Sequence, residues 1–424
     1  MLKPLQTIKN LLNDSDYSFP FKMWLFSRFL IGFATLFLTP LLSFGNTEVE
    51  SHVGWGAFAA WDSGHYKAIV FNGYSYANDG QGYNVAFFPL FPLLIRLLMQ
   101  LGLPFEVAGT LLNSVAFLGA LLIFHRWITK NYTLKIAQWS TAILAWCPFS
   151  LFCTVIYTEG VFLFLSVSAL VLFQQKKYIL ASIFGALSTA TRVTGIALIP
   201  TFFLAAWQEK RGFFAYLSSF LSGLGILAYC VYCWLEFNEP LAFIKVQKAW
   251  TPQDQVFWGS GWLKMLSQLI FGFTNTKQSS LKDPSYLIMM GLIMLLAYGL
   301  WHFREKLGSK VDYGCFFLIF LLWIVSGNPF INISMVVGGV YLLWNSRKKL
   351  SSVDLFYGIF SFMIIFSSGR STSAERYTYA IVPLSLALGI ILDRYPRWGY
   401  ALTIFFGFLL LLYSIRFAQN LWVA

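Results

Sequence analysis

Asp62, His65 and Tyr66 stand at i, i+3 and i+4 in the run Trp61-Asp62-Ser63-Gly64-His65-Tyr66. A short helix over 61–71 would therefore carry a carboxylate, an imidazole and a phenol on one face. That face suits a site that takes a proton from a hydroxyl and orients the product. It equally suits an interfacial amphipathic helix in which aromatic rings anchor and Asp62 only caps or faces solvent. Glu159 follows an apolar run ending near Ile156, and Arg192 interrupts two others. Ionisable residues at such depth are expensive and mark function by default. Arg370 and Arg376 flank Ser371-Thr372-Ser373-Ala374-Glu375. The planar fork of arginine matches phosphate, while the purely structural role is a pair with Glu375 or Glu159. Cations that hold a phosphate leaving group and a carboxylate that activates a hydroxyl together fit a lipid-linked phosphate substrate and a hydroxylated acceptor.

The elements that must position these residues are membrane helices. Of 424 residues, 58% are hydrophobic and only 11% are charged, against roughly 25% charged in soluble domains. Charge-free stretches at 136–158, 212–235 and 285–303 approach or exceed the roughly 20 apolar residues that cross a bilayer core. The net charge of +12 is no nucleic-acid footprint, because the Lys and Arg residues fall mainly between apolar segments and report topology. The surroundings expected for this chain are membrane lipids, with no nucleic-acid partner. Cys147, Cys153, Cys230, Cys233 and Cys315 all lie in or beside apolar segments, so neither a disulfide framework nor a metal site at Cys230-x-x-Cys233 is expected. The first apolar run, from about Trp24, lacks a small-residue cleavage pattern and is read as the first helix.

With Lys3, Lys9 and Lys22 cytoplasmic, successive crossings put Arg126/Lys130/Lys135, Lys176/Lys177, Lys210/Arg211, Arg304/Lys306/Lys310, Arg347/Lys348/Lys349 and Arg394/Arg397 inside. The same count puts outside 46–86, Tyr157-Thr158-Glu159, the neighbourhood of Arg192, 236–284 and Gly369 to Tyr377. Those regions hold nearly all the unusual polar residues. The segment 87–101, interrupted by Pro89 and Pro92, is read as re-entrant or interfacial. Segments 178–190 and 193–207 are short for spans and read as two broken halves meeting at Thr191-Arg192. The expected fold is an all-α polytopic membrane protein of about 11–13 transmembrane helices, one domain over 1–424. Its first outer loop, 46–86, carries short interfacial helices, and 236–284 is a second large outer loop.

Three blocks in order carry a resemblance: Trp61-Asp62-Ser63-Gly64-His65-Tyr66, Asn72-Gly73-Tyr74, and Ala86-Phe87-Phe88-Pro89-Leu90-Phe91-Pro92. Pro148-Phe149-Ser150 with Tyr157-Thr158-Glu159, Ala190-Thr191-Arg192-Val193-Thr194-Gly195, Gln247-Lys248-Ala249-Trp250 and Glu375-Arg376-Tyr377 with Pro383 follow in the same order. The sequence resembles the PIG-V-like mannosyltransferases, the GPI mannosyltransferase II family and its prokaryotic relatives, from about residue 24 to 392. The resemblance implies a GT-C glycosyltransferase fold with a catalytic first outer loop, and a polyprenyl-phosphate sugar as donor. It implies Asp62 as the catalytic base of a single inverting displacement onto a glycan or glycolipid hydroxyl, with mannose the expected sugar. By the same resemblance Arg192 and Arg376 would hold the donor phosphate and Glu159 would orient a sugar or an arginine; Arg370 is a substrate-binding candidate from its residue type and position alone. His65 and Tyr66 would line the substrate site. One departure stands out: Gly82-Tyr83-Asn84-Val85 precedes the Ala-Phe-Phe-Pro block, where family members often carry an acidic residue, and Asp79 lies further back.

The resemblance further implies a multi-pass protein of the inner membrane in a bacterium, or of the endoplasmic reticulum in a eukaryote, active on the non-cytoplasmic face. Transport is the competing class. A lipid-linked sugar flippase or solute carrier also needs intramembrane charges and broken helices, but would show related halves and a midplane site. A non-catalytic envelope subunit would tolerate any residue at 62. Asp62, His65 and Glu159 could bind a divalent ion in principle, yet their spacing specifies none.

Overall fold

The computed structural model describes residues 15–43, 54–250, 259–278, 280–369 and 371–423. Among them regular structure is entirely helical. The chain forms two compact units, one of 1–251, 345–361 and 379–423, the other of 252–344 and 362–378.

The first unit begins with α1 (Ser15–Phe33), prolonged through a π-helical turn at Ala34–Leu38. It continues with α2 (Ser63–Asn72), α3 (Leu90–Gln100), α4 (Phe105–Asn131), α5 (Leu134–Trp146), α6 (Glu159–Gln174), α7 (Tyr178–Thr189), α8 (Leu198–Gln208), α9 (Phe213–Leu221) and α10 (Leu224–Phe237). The second unit contains α11 (Ser260–Phe271), α12 (Pro284–His302) and α13 (Lys310–Ser326). Next along the chain are α14 (Asn328–Ser346), α15 (Ser352–Ser367), α16 (Ala374–Tyr379), α17 (Val382–Arg394) and α18 (Pro396–Ala418).

Five apolar helical stretches among the described residues are long enough to cross a bilayer unaided: Asp16–Leu42, Phe105–Asn131, Phe213–Phe237, Pro284–His302 and Pro396–Ala418. This is an integral membrane protein. Leu90–Gln100, Glu159–Gln174 and Tyr178–Thr189 are also apolar but shorter. At 1.5 Å per residue, α3 is only about 16 Å long, roughly half of a hydrocarbon core; Pro92 does not interrupt it but stands in its first turn, where no N–H is required of it. The apolar run over 377–392 is not one helix: Ala380 and Ile381 separate α16 from α17, and Pro383 can start a helix but not continue one.

Within the first unit, α6 packs between α4 and α7, and α5 packs on α17. Tyr66 and Val70 of α2, Phe91 and Ile95 of α3, Ala108 of α4 and Leu165 of α6 share one buried apolar cluster, which fastens the short α2 to the bundle. α4 and α6 approach closely at Gly160. A Cβ there would meet the Asn113 carbonyl oxygen at 2.2 Å and the Asn113 Oδ1 at 2.5 Å. That space is already used: the Asn113 amide oxygen accepts from Gly160 N–H at 2.7 Å and from Val161 N–H at 3.3 Å, covering two of the donors that every helix start leaves open. Replacing Gly160 with Ala should therefore destabilise the protein by about 1–3 kcal/mol through overpacking. Gly291 of α12, where a Cβ meets nothing within 4 Å, should tolerate Ala; thermal unfolding of both variants in detergent checks the difference.

Candidate active site

Between α5 and α6 the chain leaves the α-helix for a 3-10 turn over Pro148–Cys153 and an irregular stretch up to Thr158. This irregular backbone is buried throughout, so its polar groups must be satisfied by protein. The Asn113 side-chain amide donates to the carbonyls of Phe152 at 2.7 Å and Val155 at 2.8 Å. The Tyr379 hydroxyl donates to the Leu144 carbonyl at 2.9 Å. Arg28, in the middle of the first span, donates to the Ser150 carbonyl and the Thr154 hydroxyl, each at 2.8 Å.

The far end of this stretch holds the loop that carries Asp62. The Ile156 N–H donates to the Phe58 carbonyl at 3.1 Å, and the Ser63 hydroxyl donates back to the Ile156 carbonyl at 3.1 Å. The backbone N–H of Asp62 donates to the Tyr157 hydroxyl at 3.2 Å. Asp62 is the residue that starts α2, and its carboxylate makes no capping hydrogen bond to the helix. The expected one-face arrangement therefore forms, with Asp62 at the end of the helix instead of inside it. Asp62 and His65 are half-buried while Tyr66 is buried.

The charges converge on Tyr66. Burial raises its phenol well above the ordinary value, the negative charges of Asp62 and Glu159 add to that, and Arg192 together with a hydrogen bond to the Thr158 side chain opposes it. All four residues thus share one electrostatic neighbourhood. Burial lowers the His65 imidazole, with Asp62 opposing, so the ring is neutral at neutral pH. It stacks on Phe87 with ring centroids 4.5 Å apart.

Glu159 opens α6 at 1% exposure, and Arg192 lies in extended backbone between α7 and the turn that precedes α8. Their side chains form an ion pair in which both partners are buried, and the Arg192 guanidinium also lies 5.7 Å from the centre of the Phe162 ring. The two broken halves thus meet where the charge sits. The break also reaches α3, whose Leu90 N–H donates to the Ala190 carbonyl at 3.1 Å.

Asn84 occupies the approach to the Phe-Phe-Pro block. Its amide oxygen accepts from Ser75 N–H at 2.8 Å and its amide nitrogen donates to the Gly73 carbonyl at 3.0 Å. An ionised carboxylate could make the first bond but not the second. Asp79 is exposed and closes its own turn, with hydrogen bonds from the Tyr83 hydroxyl and the Gln81 N–H that lower its carboxyl. Among the described residues no three His, Cys, Asp or Glu side chains form a metal-ligand group.

Arg376 lies in the second unit. It is buried beside Glu375, whose carboxyl burial pushes up to about 7. Arg370 lies outside the described residues. Arg28 and Asn113 went unremarked in the sequence. A lone arginine in an apolar span was the available signal for the first, and nothing local marked the second.

A family profile described as Mannosyltransferase (PIG-V) matches residues 33–305. The chain belongs to the PIG-V mannosyltransferase family. The match spans Asp62, His65, Tyr66, Glu159 and Arg192. No curated protein matches this PIG-V member. Among solved structures it is similar to the oligosaccharyltransferase of Archaeoglobus fulgidus in complex with zinc and sulfate, at 14% identity and a TM-score of 0.45, over 92% of this chain and 53% of that one. It is also similar to oligosaccharyltransferase AglB of the same organism in complex with an inhibitory peptide and a dolichol-phosphate, at 13% identity and a TM-score of 0.42, over 95% and 55%. The PIG-V chain spans about half the length of these relatives.

Removing one member of a buried ion pair strands the other in a low dielectric. Glu159→Gln and Arg192→Met in this PIG-V protein should each cost about 3–5 kcal/mol, and the double variant should cost less than the two together. A thermal-unfolding mutant cycle in detergent measures the coupling.

Proposed function

We propose that the protein transfers mannose from a polyprenyl-phosphate donor to a hydroxyl of a glycan or glycolipid, in a GT-C-like bundle, on the non-cytoplasmic face of the membrane. The observation that carries this reading is the contrast between two carboxylates that both act on Tyr66. Asp62 is half-buried, within reach of solvent and substrate, whereas Glu159 is enclosed against Arg192. A base must be approachable by the proton it takes; an orienting anion need not be.

In the proposed step the acceptor oxygen attacks the anomeric carbon from the face opposite the phosphate. Its proton passes to the Asp62 carboxylate, the new C–O bond forms as the bond to phosphate oxygen breaks, and the polyprenyl phosphate leaves as an anion. One displacement inverts the anomeric centre. A second carboxyl, which a glycosidase uses to protonate its leaving group, is not needed when the leaving group is a phosphate stabilised by cationic donors. Arg192 is assigned to that phosphate. Its guanidinium carries five N–H donors, enough to keep Glu159 and donate to a phosphate oxygen beside it, and Glu159 fixes its orientation. Neutral His65, stacked on Phe87, and protonated Tyr66 are assigned to sugar hydroxyls.

Asp62→Asn should lower turnover by about 10²–10⁴-fold, the range of a general base, with unchanged thermal stability. The assay incubates labelled polyprenyl-phosphate mannose, glucose and arabinose with the protein and native membrane extract. Wild-type turnover by Asp62→Asn would remove the base, and sugar-lipid movement across vesicles without a new glycosidic bond would replace transfer by transport.

A further inference from the structure

Arg28 is 8% exposed and sits inside the helical span Asp16–Leu42. A charge at that depth is expensive, and this one is spent on neutral acceptors. Nη1 donates to the Ser150 carbonyl and the Thr154 hydroxyl at 2.8 Å each. Nη2 donates to the Ser150 hydroxyl at 2.8 Å and, more weakly, to the Ala145 carbonyl at 3.4 Å. The guanidinium carbon also lies 4.8 Å from the centre of the Phe117 ring of α4. Each of those acceptors belongs to 145–154, the segment in which α5 ends and the irregular backbone begins.

If α1 only needed to pack, an apolar side chain would do so without the desolvation of a cation. What an apolar side chain cannot supply is a fork of donors that crosses from one element to another and fixes both position and direction. Three residues beyond Thr154, the same stretch offers the Tyr157 hydroxyl to the Asp62 N–H; two residues beyond, it offers the Ile156 carbonyl to the Ser63 hydroxyl. Asn113 grips the stretch between these points, at Phe152 and Val155. From Arg28 to Asp62 the connection is therefore continuous: guanidinium, turn, Tyr157 hydroxyl, backbone of the residue that starts α2.

We infer that Arg28 is a positioning residue for the transfer reaction, acting through the 145–157 segment to set where Asp62 stands. The inference rests on the assignment of Asp62 as the base, and it requires no contact between Arg28 and substrate. Loss of the fork lets α2 move relative to the donor site, and misplacement of a reacting group by about 1 Å can cost 10²-fold in rate. Donor affinity, carried by other side chains, stays as it is.

The test is a kinetic cycle in the full-length purified protein with labelled polyprenyl-phosphate mannose. Arg28→Lys keeps the charge and removes the fork. We expect kcat, corrected for the fraction of folded protein, to fall about 10- to 100-fold with donor KM unchanged. In a Tyr157→Phe background, where one of the bonds between the stretch and the Asp62 loop is already cut, Arg28→Lys should cause a smaller further loss than it does in the wild type. Thr154→Val removes one acceptor and leaves the arginine in place; it should show a smaller fall of kcat with the same unchanged KM, and it carries the test should Arg28→Lys not fold. Wild-type kcat in both variants overturns the inference, as does a fall in kcat that tracks the loss of folded protein. Full additivity of Arg28→Lys with Tyr157→Phe overturns it too. Asp62→Asn, assayed alongside, reports on the base alone: wild-type turnover there removes Asp62 from the chemistry without touching the coupling between Arg28 and Tyr157.

Discussion

A backbone carbonyl buried at membrane depth has no water to turn to, and much of this structure follows from that constraint. Where α5 ends and before α6 begins, five carbonyls, those of Leu144, Ala145, Ser150, Phe152 and Val155, accept hydrogen bonds from four side chains: Tyr379, Arg28, Ser150 and Asn113. An unsatisfied buried group costs on the order of 1–3 kcal/mol, so this set of donors makes the irregular segment possible. The segment in turn sets the start of α2 through Ile156 and Tyr157. Irregular backbone is expensive here, and it sits beside Asp62.

The second break in helical backbone, between α7 and α8, obeys the same logic with different means. Thr189 ends α7 with its hydroxyl donating to the Ser222 carbonyl at 2.9 Å, and the Ala190 carbonyl accepts from Leu90 at the start of α3. Arg192 then emerges in extended backbone against Glu159. Each break delivers one charged side chain to the neighbourhood of Tyr66. Uninterrupted helices would have kept Glu159 and Arg192 on helix surfaces, where partner and distance depend on rotation alone.

Much of this was legible in the sequence because the signals are local. The i, i+3, i+4 spacing of Asp62, His65 and Tyr66 needs only helical geometry, and Glu159 and Arg192 stand out as ions in apolar runs. The pairing of these two was one of two partnerships the charges allowed. Arg28 and Asn113 escaped because their partners lie 122 and 39 residues away, and no pattern within a window of ten residues distinguishes an arginine that satisfies a distant turn from one that fixes topology. The same holds for Asn84. Read as a missing acid, it is an amide whose donor and acceptor halves are both used to join Gly73 and Ser75 to the Phe-Phe-Pro block.

The Glu159–Arg192 pair also constrains how the chain can enter a membrane. α6 and α7 are consecutive, joined by a tight turn in which Lys176 adopts a positive φ of 60° and the Lys177 N–H reaches back to the Leu172 carbonyl at 2.9 Å. This hairpin has Glu159 at one tip and, just past the other, Arg192. Inserted as a unit, it carries a neutralised end through hydrocarbon; inserted one helix at a time, it would drag first an unmatched anion and then an unmatched cation across the same barrier. In such a unit the lysines sit at the opposite end of the hairpin from the charged tips, which would cross already joined.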